Sequence, residues 1–266
     1  MDDLFRGAWV LITGASSGLG EELARQLAEQ GANLVLTARS KDKLAGLAAQ
    51  LGAAHGVQAR VIVADLAAEG GPAALARELD ALGVPIDHVI ANAGFGHYGP
   101  LVEESAADVG QMVRVNCEAL VALVHHCVPG MVSRGRGGVM LIASTAGFQP
   151  TPMFAVYGAT KAFVRSFGEA LAEELRGSGV RVSVVCPGPV PTGFQARAGS
   201  VIAGSQRPSV LAADECVRRA IAGYRAGRTV VIPGTLNRVM ALAATALPNQ
   251  LVVPAVGRMM AKKRRS

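Results

Sequence analysis

From residue 8 onward, short apolar runs alternate with longer stretches of helical spacing. AWVLIT (8–13) ends at Gly14, and residues 18–30 then carry Leu19, Leu23, Leu27 and Ala28 along one helical face. NLVLTA (33–38), QARVIVA (58–64), DHVIA (87–91), GVMLIA (138–143), VRVSVVC (180–186) and TVVI (229–232) repeat the strand-like signal. Between them lie helix-like segments at 40–54, 72–82, 105–132, 154–176 and 212–225. The seven runs are mostly apolar throughout, without the alternation of a half-exposed strand. That predicts an α/β fold: a doubly wound, seven-stranded parallel sheet with crossover helices on both faces.

No linker-like shift in composition and no internal repeat divides the chain, so residues 1–234 read as one domain. Residues 235–266 read as a helical extension of it, with TLNRVMALAATAL as an amphipathic helix. One stretch, roughly 188–210, is rich in Gly, Pro and Ser and has no clear period. Long aperiodic loops in compact domains are functional lids or disordered inserts. This one follows a strand end, where open α/β sheets bind ligands, and is expected to be a lid.

Composition adds limits. Half of the 266 residues are hydrophobic and only 4% are aromatic, which suits a buried sheet and offers little for stacking bases. Lys262, Lys263, Arg264 and Arg265 supply four of the six net positive charges, so basicity is mostly a tail property and no nucleic-acid partner is expected. Cys117, Cys127, Cys186 and Cys216 are scattered, with no CxxC, and MDDLFRG has no signal-peptide pattern. A reduced, cytoplasmic protein is expected. VMALAATALPNQLVVPAVGRMM is interrupted by Pro248, Asn249, Gln250 and Pro254 and is not expected to span a membrane.

The first strand runs into Thr13-Gly14-Ala15-Ser16-Ser17-Gly18-Leu19-Gly20 and then a helix. Glycines permit a tight turn and close backbone approach, and the helix N-terminus supplies free N–H groups, so the loop suits phosphate. No Gly-Lys-Ser/Thr closes it, which favours a dinucleotide over a nucleoside triphosphate. After the second strand stands Arg39, where an NAD-preferring enzyme commonly carries an acid; the nearest acid is Asp42. Arg39, helped by Ser16, would accept a ribose 2′-phosphate, so NADP(H) is preferred over NAD(H). A merely solvated start to the next helix is the other reading of Arg39 and Lys41.

Tyr157-Gly158-Ala159-Thr160-Lys161 opens a helix-like segment, and i,i+4 spacing places Tyr157 and Lys161 on one face. A lysine ammonium beside a phenol is expected to lower its pKa toward useful acid/base range. Ser144, ending the fifth strand, can hydrogen-bond a substrate oxygen as its charge changes.

With TGASSGLG, Asp65, ANAG at 91–94, Asn116, Ser144, YGATK and Pro187-Gly188 in this order, the chain resembles the short-chain dehydrogenase/reductase family over about residues 5–235. The resemblance implies a Rossmann-type sheet and hydride transfer between nicotinamide and a carbonyl or alcohol, with Tyr157 as acid/base. It also implies that Lys161 holds the nicotinamide ribose and Ser144 orients the carbonyl, while Asn116 helps hold a relay water. Gly14, Ser16, Ser17, Gly18, Leu19, Gly20 and Arg39 would bind the cofactor's phosphate end, and Asp65 and Leu66 its adenine. Asn92, Ala93 and Gly94 would line its middle, and Pro187, Gly188, Val190 and Thr192 its nicotinamide end. Ala91 replaces the first Asn of the more usual NNAG, removing one side-chain amide.

The NAGFG turn and the extension resemble the ketoacyl-reductase and steroid-dehydrogenase-like branch. The apolar lid residues Val190, Phe194, Val201 and Ile202 permit a hydrophobic ketone, aldehyde or 3-oxoacyl substrate. A homodimer or homotetramer through 105–132 and 154–176 is expected. His97 and Tyr98 are open to a substrate contact or a plain turn. His125-His126 diverge around a helix and are not read as a metal site, and Cys186 is expected in the core. The tail is read as packed on the domain with a solvated end; weak contact with an anionic membrane surface is the alternative. The rival functions are a non-catalytic NADP(H) sensor or scaffold, a membrane-peripheral protein, and nucleotide-sugar epimerase or dehydratase chemistry.

Overall fold

Successive strand residues point to opposite faces of a sheet, so a strand apolar at every position needs cover on both sides. That condition is met by the central strands of the computed structural model, which describes residues 4–202 and 204–263, whereas the edge run at 59–63 leaves Arg60 and Val63 exposed. The strands are β1 (Trp9–Thr13), β2 (Asn33–Ala38), β3 (Ala59–Val63), β4 (His88–Ala91), β5 (Gly137–Ile142), β6 (Val180–Val185) and β7 (Val230–Val231). They form one parallel sheet in the order β3-β2-β1-β4-β5-β6-β7. The expected seven-stranded doubly wound sheet is present.

On one face, Val10, Ile12, Leu34 and Leu36 pack beneath helices α1 (Gly18–Glu29), α2 (Lys41–His55) and α8 (Ala213–Arg225), which bring Leu23, Leu27, Leu44 and Ile221. On the other, Leu11, Val35, Val139 and Leu141 meet α3 (Gly71–Ala81), α5 (Ala119–Ser133) and α6 (Ala155–Glu174) through Leu75, Leu123 and Val164. Fully burying each such side chain contributes about 1.5–3 kcal/mol, so both layers are needed. Ala91 lies in this second layer, where an asparagine amide would have to be buried.

The expected helix 105–132 is interrupted. α4 (Ala106–Val113) passes into a π turn, Arg114–Glu118, before α5. The segment Ala106–Ser133 is long and apolar enough to cross a membrane by length and composition, yet α5 packs on the sheet. Residues 188–210 are less irregular than expected: Thr192 and Gln195 form a capping box that starts α7 (Gly193–Ala198), and a 3₁₀ turn follows at Gly204–Ser209. After β7, α9 (Thr235–Ala246) and α10 (Asn249–Lys263) cross back over the sheet's carboxyl end. Arg264, Arg265 and the side chains of Lys262 and Lys263, to which the solvated-end reading applied, lie outside the described residues.

Candidate active site

The chain leaves β3 at one edge and re-enters the sheet as β4 beside β1, so a crevice opens where β1 and β4 end. Thr13 ties the two ends together: its hydroxyl accepts from the backbone N–H groups of Asn92 (3.0 Å) and Ala93 (2.9 Å). The Asn92 amide donates back to the Thr13 carbonyl at 2.9 Å. Thr13 escaped the sequence reading as a site residue because nothing local marks its partner.

Over this crevice the glycine loop turns tightly, with Gly14 and Gly18 at φ of 67° and 60°. A Cβ on Gly20 would lie 2.3 Å from the Gly14 carbonyl oxygen, so only glycine lets α1 begin this close to β1. Gly20 is held by this packing and is not among the residues that line the cavity. Ser17 caps α1 without a side-chain hydrogen bond, which leaves the first-turn amides free for an anion. Arg39 lies exposed at the same end, beyond β2, with no side-chain partner among the described residues.

A single cavity of about 1030 Å³ runs from this loop to α10. Gly14, Ser16, Ser17, Gly18, Leu19, Arg39, Asp65, Leu66, Asn92, Ala93 and Gly94 line one part of it; Ser144, Tyr157, Lys161, Pro187, Gly188, Val190 and Thr192 line the next. The donor set suits a dinucleotide: free helix amides and a guanidinium for phosphates, then a lysine and Thr192 farther along. Asp65 is partly committed, its carboxylate accepting from the Ala67 N–H at 2.9 Å.

The candidate catalytic residues meet from two elements. Tyr157 and Lys161 share the first turns of α6, and Ser144 follows β5. The Ser144 hydroxyl accepts from the Ala146 N–H at 3.1 Å and hydrogen-bonds the Tyr157 phenol. Burial pushes that phenol up to about 12, and the Ser144 bond only partly opposes the shift. The expectation that Lys161 lowers it is not met in this state. Its Nζ lies 5.7 Å from the ring centroid and donates to the Ile142 carbonyl at 2.8 Å, while burial lowers the ammonium to about 8. Desolvation outweighs the charge at that distance.

Asn116 is fully buried in the π turn and does not line the cavity. Its Oδ1 accepts from the Phe95 N–H at 3.1 Å, and its Nδ2 donates to the Phe95 carbonyl (2.9 Å) and the Thr160 hydroxyl (3.0 Å). Its side chain thus clamps the 92–95 loop to α6. Gly96, which sequence reasoning did not single out, presses on the Tyr157 ring: a Cβ there would come within 2.9 Å of Tyr157 Cδ2.

The remaining candidates divide. His97 lines the cavity and faces Glu104 at 3.5 Å, whereas the Tyr98 hydroxyl donates to the Met260 carbonyl and latches α10. His126 pairs with Asp80 at 3.0 Å, and His125 is exposed. Cys186 is buried in the core, where desolvation pushes its thiol up to about 12. The extension supplies what the sequence left unassigned. Asn237 of α9 packs on Gly188, where a Cβ would lie 2.3 Å from its Oδ1, and donates to the Ser209 (2.9 Å) and Pro233 (3.0 Å) carbonyls. Beyond it, Ala244, Leu247, Val252, Val256 and Met259 complete an apolar wall.

Known proteins share this arrangement. A 36% identical short-chain dehydrogenase from Sphingobium yanoikuyae, solved in complex with NADPH, superposes with a TM-score of 0.81 over 90% of this chain and 93% of its own. A 7beta-hydroxysteroid dehydrogenase structure, 26% identical, gives a TM-score of 0.85 over 95% and 97% of the two chains. The very-long-chain 3-oxoacyl-CoA reductase of Phaeosphaeria nodorum is 37% identical over 186 residues, which are 68% of this chain and 54% of that protein. The chain thus spans about half the length of the curated relatives it matches. The family model for short chain dehydrogenases covers residues 8–201, from β1 through α7. The chain belongs to the short-chain dehydrogenase/reductase family, oxidoreductases that interconvert carbonyl and alcohol groups with a nicotinamide cofactor.

Proposed function

We propose that the protein reduces the ketone of a hydrophobic substrate, a 3-oxoacyl thioester or a comparably long ketone, using NADPH. The observation that carries this reading is the form of the cavity: Tyr157 and Ser144 lie between a phosphate-suited end at Arg39 and an apolar end walled by α9 and α10. The name of the 37% identical relatives supports the acyl class, and the NADPH complex of the Sphingobium protein supports the cofactor.

When bound, the cofactor supplies the hydride for the carbonyl carbon. Ser144 orients the carbonyl oxygen, and Tyr157 transfers its phenolic proton to that oxygen as the alcohol forms. With its pKa near 12, the phenol is held as the acid that this direction requires. Lys161, one helical turn away, stabilises the phenolate left behind, and the loop clamped by Asn116 keeps Gly94 and Gly96 against the reacting groups. Because the Asn116 side-chain amide is already engaged, a relay water that returns the proton to Tyr157 would be held there by a main-chain carbonyl of the π turn.

Assembly through the outer surfaces of α5 and α6 belongs to the same proposal. Phe163 is exposed on α6 and stacks on Phe167 at 6.2 Å, and Val132 is exposed at the end of α5. A homodimer covering them would bury this apolar surface.

The deciding experiment is a panel of ketones, aldehydes and 3-oxoacyl thioesters of graded chain length, followed by NADPH absorbance and repeated with NADH. Rising kcat/KM with chain length is expected. A preference for short polar carbonyls would reject the substrate class, and equal use of NADH would reject the cofactor preference.

A further inference from the structure

Helix α9 is turned inside out. Asn237 and Ala241 are its buried residues, while Val239 (58% exposed) and Leu242 (52%) face outward with Leu236, and Leu251 (65%) continues the surface at the start of α10. A surface helix of a monomeric domain ordinarily buries its large apolar residues. Met240, Leu247 and Leu251 are exposed and also belong to the cavity wall, so the apolar interior of the cavity and this outer surface are continuous.

The charge along this part of the sequence has one sign. No Asp or Glu occurs after Glu215, whereas Arg238, Arg258, Lys262, Lys263, Arg264 and Arg265 follow Thr235 in the sequence. A second copy covering this surface would bring two acid-free, basic segments together. An anionic bilayer meets both features, since it solvates the apolar side chains and attracts the cations.

We propose that α9 and the start of α10 dock on the surface of an anionic lipid bilayer, with the apolar end of the cavity opening toward it. Docking stands on the outward apolar face of α9 and the acid-free sequence that carries it. That substrates with long apolar tails enter from the bilayer rests on the proposed reductase reading.

Flotation of the full chain with phosphatidylcholine vesicles containing about a third phosphatidylglycerol, against pure phosphatidylcholine vesicles, tests docking without an activity readout. About tenfold more protein is expected to float with the anionic vesicles, and less in high salt. Leu236→Gln, Val239→Gln and Leu242→Gln combined change outward-facing residues that do not line the cavity. They are expected to abolish flotation while leaving the thermal unfolding midpoint unchanged. Arg238→Glu, a milder surface change, is expected to reduce flotation severalfold. Wild-type protein that stays unbound, or a triple variant that floats as well as wild type, overturns the proposal. So does a wild-type oligomer that the triple variant dissolves, because a second copy would then cover the face. Vesicle binding without reduction of any carbonyl would leave docking standing and reject the reductase reading alone.

Discussion

Lys161 lies under the ring of Tyr157, its Nζ 5.7 Å from the centroid, and directs a proton at the Ile142 carbonyl. The ammonium is therefore placed to stabilise a phenolate once formed, while the resting phenol stays protonated. Tyr157→Phe should lower turnover by about 10²–10⁴-fold, the usual contribution of a positioned acid. NADPH fluorescence titration should show binding within about twofold of wild type, because the ring remains. In the reductive direction kcat should stay nearly flat from about pH 6 to about pH 8, since the phenol is pushed up to about 12. Oxidation of the alcohol should speed up with rising pH, because it starts from the phenolate. A reductive rate that collapses on passing through neutral pH would contradict the raised phenol.

Arg39 stands at the phosphate-suited end of the cavity, with no acid among the described residues holding it. Arg39→Asp should raise the KM for NADPH by at least about tenfold while that for NADH falls, since a carboxylate repels a phosphate and accepts from ribose hydroxyls. An unchanged ratio of the two cofactors' kcat/KM values would remove the role given to Arg39.

Gly96 tests positioning without altering any reacting group. A methyl group there would meet Tyr157 Cδ2 at 2.9 Å, so the ring must give way. Gly96→Ala should cut kcat by about ten- to a hundredfold, because small displacements from productive geometry are costly. Its unfolding midpoint should stay within a few degrees of wild type. Wild-type turnover in this variant would show that the ring tolerates the shift.

His88 links stability to pH. It sits in the core between Phe5 and Tyr224, with Nδ1 2.7 Å from the Tyr224 hydroxyl, and burial lowers its pKa from 6.5 to about 4. The folded state then binds the proton less well than the unfolded chain. Stability from this group is complete above about pH 6.5 and is lost progressively as the pH falls toward 4, by up to about 3 kcal/mol. Urea unfolding at graded pH should show this slope, and His88→Phe should flatten it. An identical slope in the variant would place the acid sensitivity elsewhere.

The sheet and its cover were legible along the chain because each strand is apolar at nearly every position, and a crossover helix is the local consequence of that pattern. Glycine at 14, 18 and 20, the pair Tyr157 and Lys161, and Arg39 at a strand end were legible for the same reason. Turn conformation, one helical turn and one strand terminus are short-range geometry. Contacts between distant segments were not. Nothing near residue 13 announces Asn92, nothing near Gly188 announces Asn237, and the clamp from Asn116 to Phe95 depends on a π turn that leaves no periodic signal. The direction of the phenol's shift was likewise decided by tertiary structure. The spacing of Tyr157 and Lys161 places a cation nearby, but only the packed surroundings determine how far both are removed from water. The apolar pattern of α9 was visible as well. Which way it faces depends on Asn237 finding the Ser209 and Pro233 carbonyls, and hydrogen bonds of that kind exist only once the domain has closed around them.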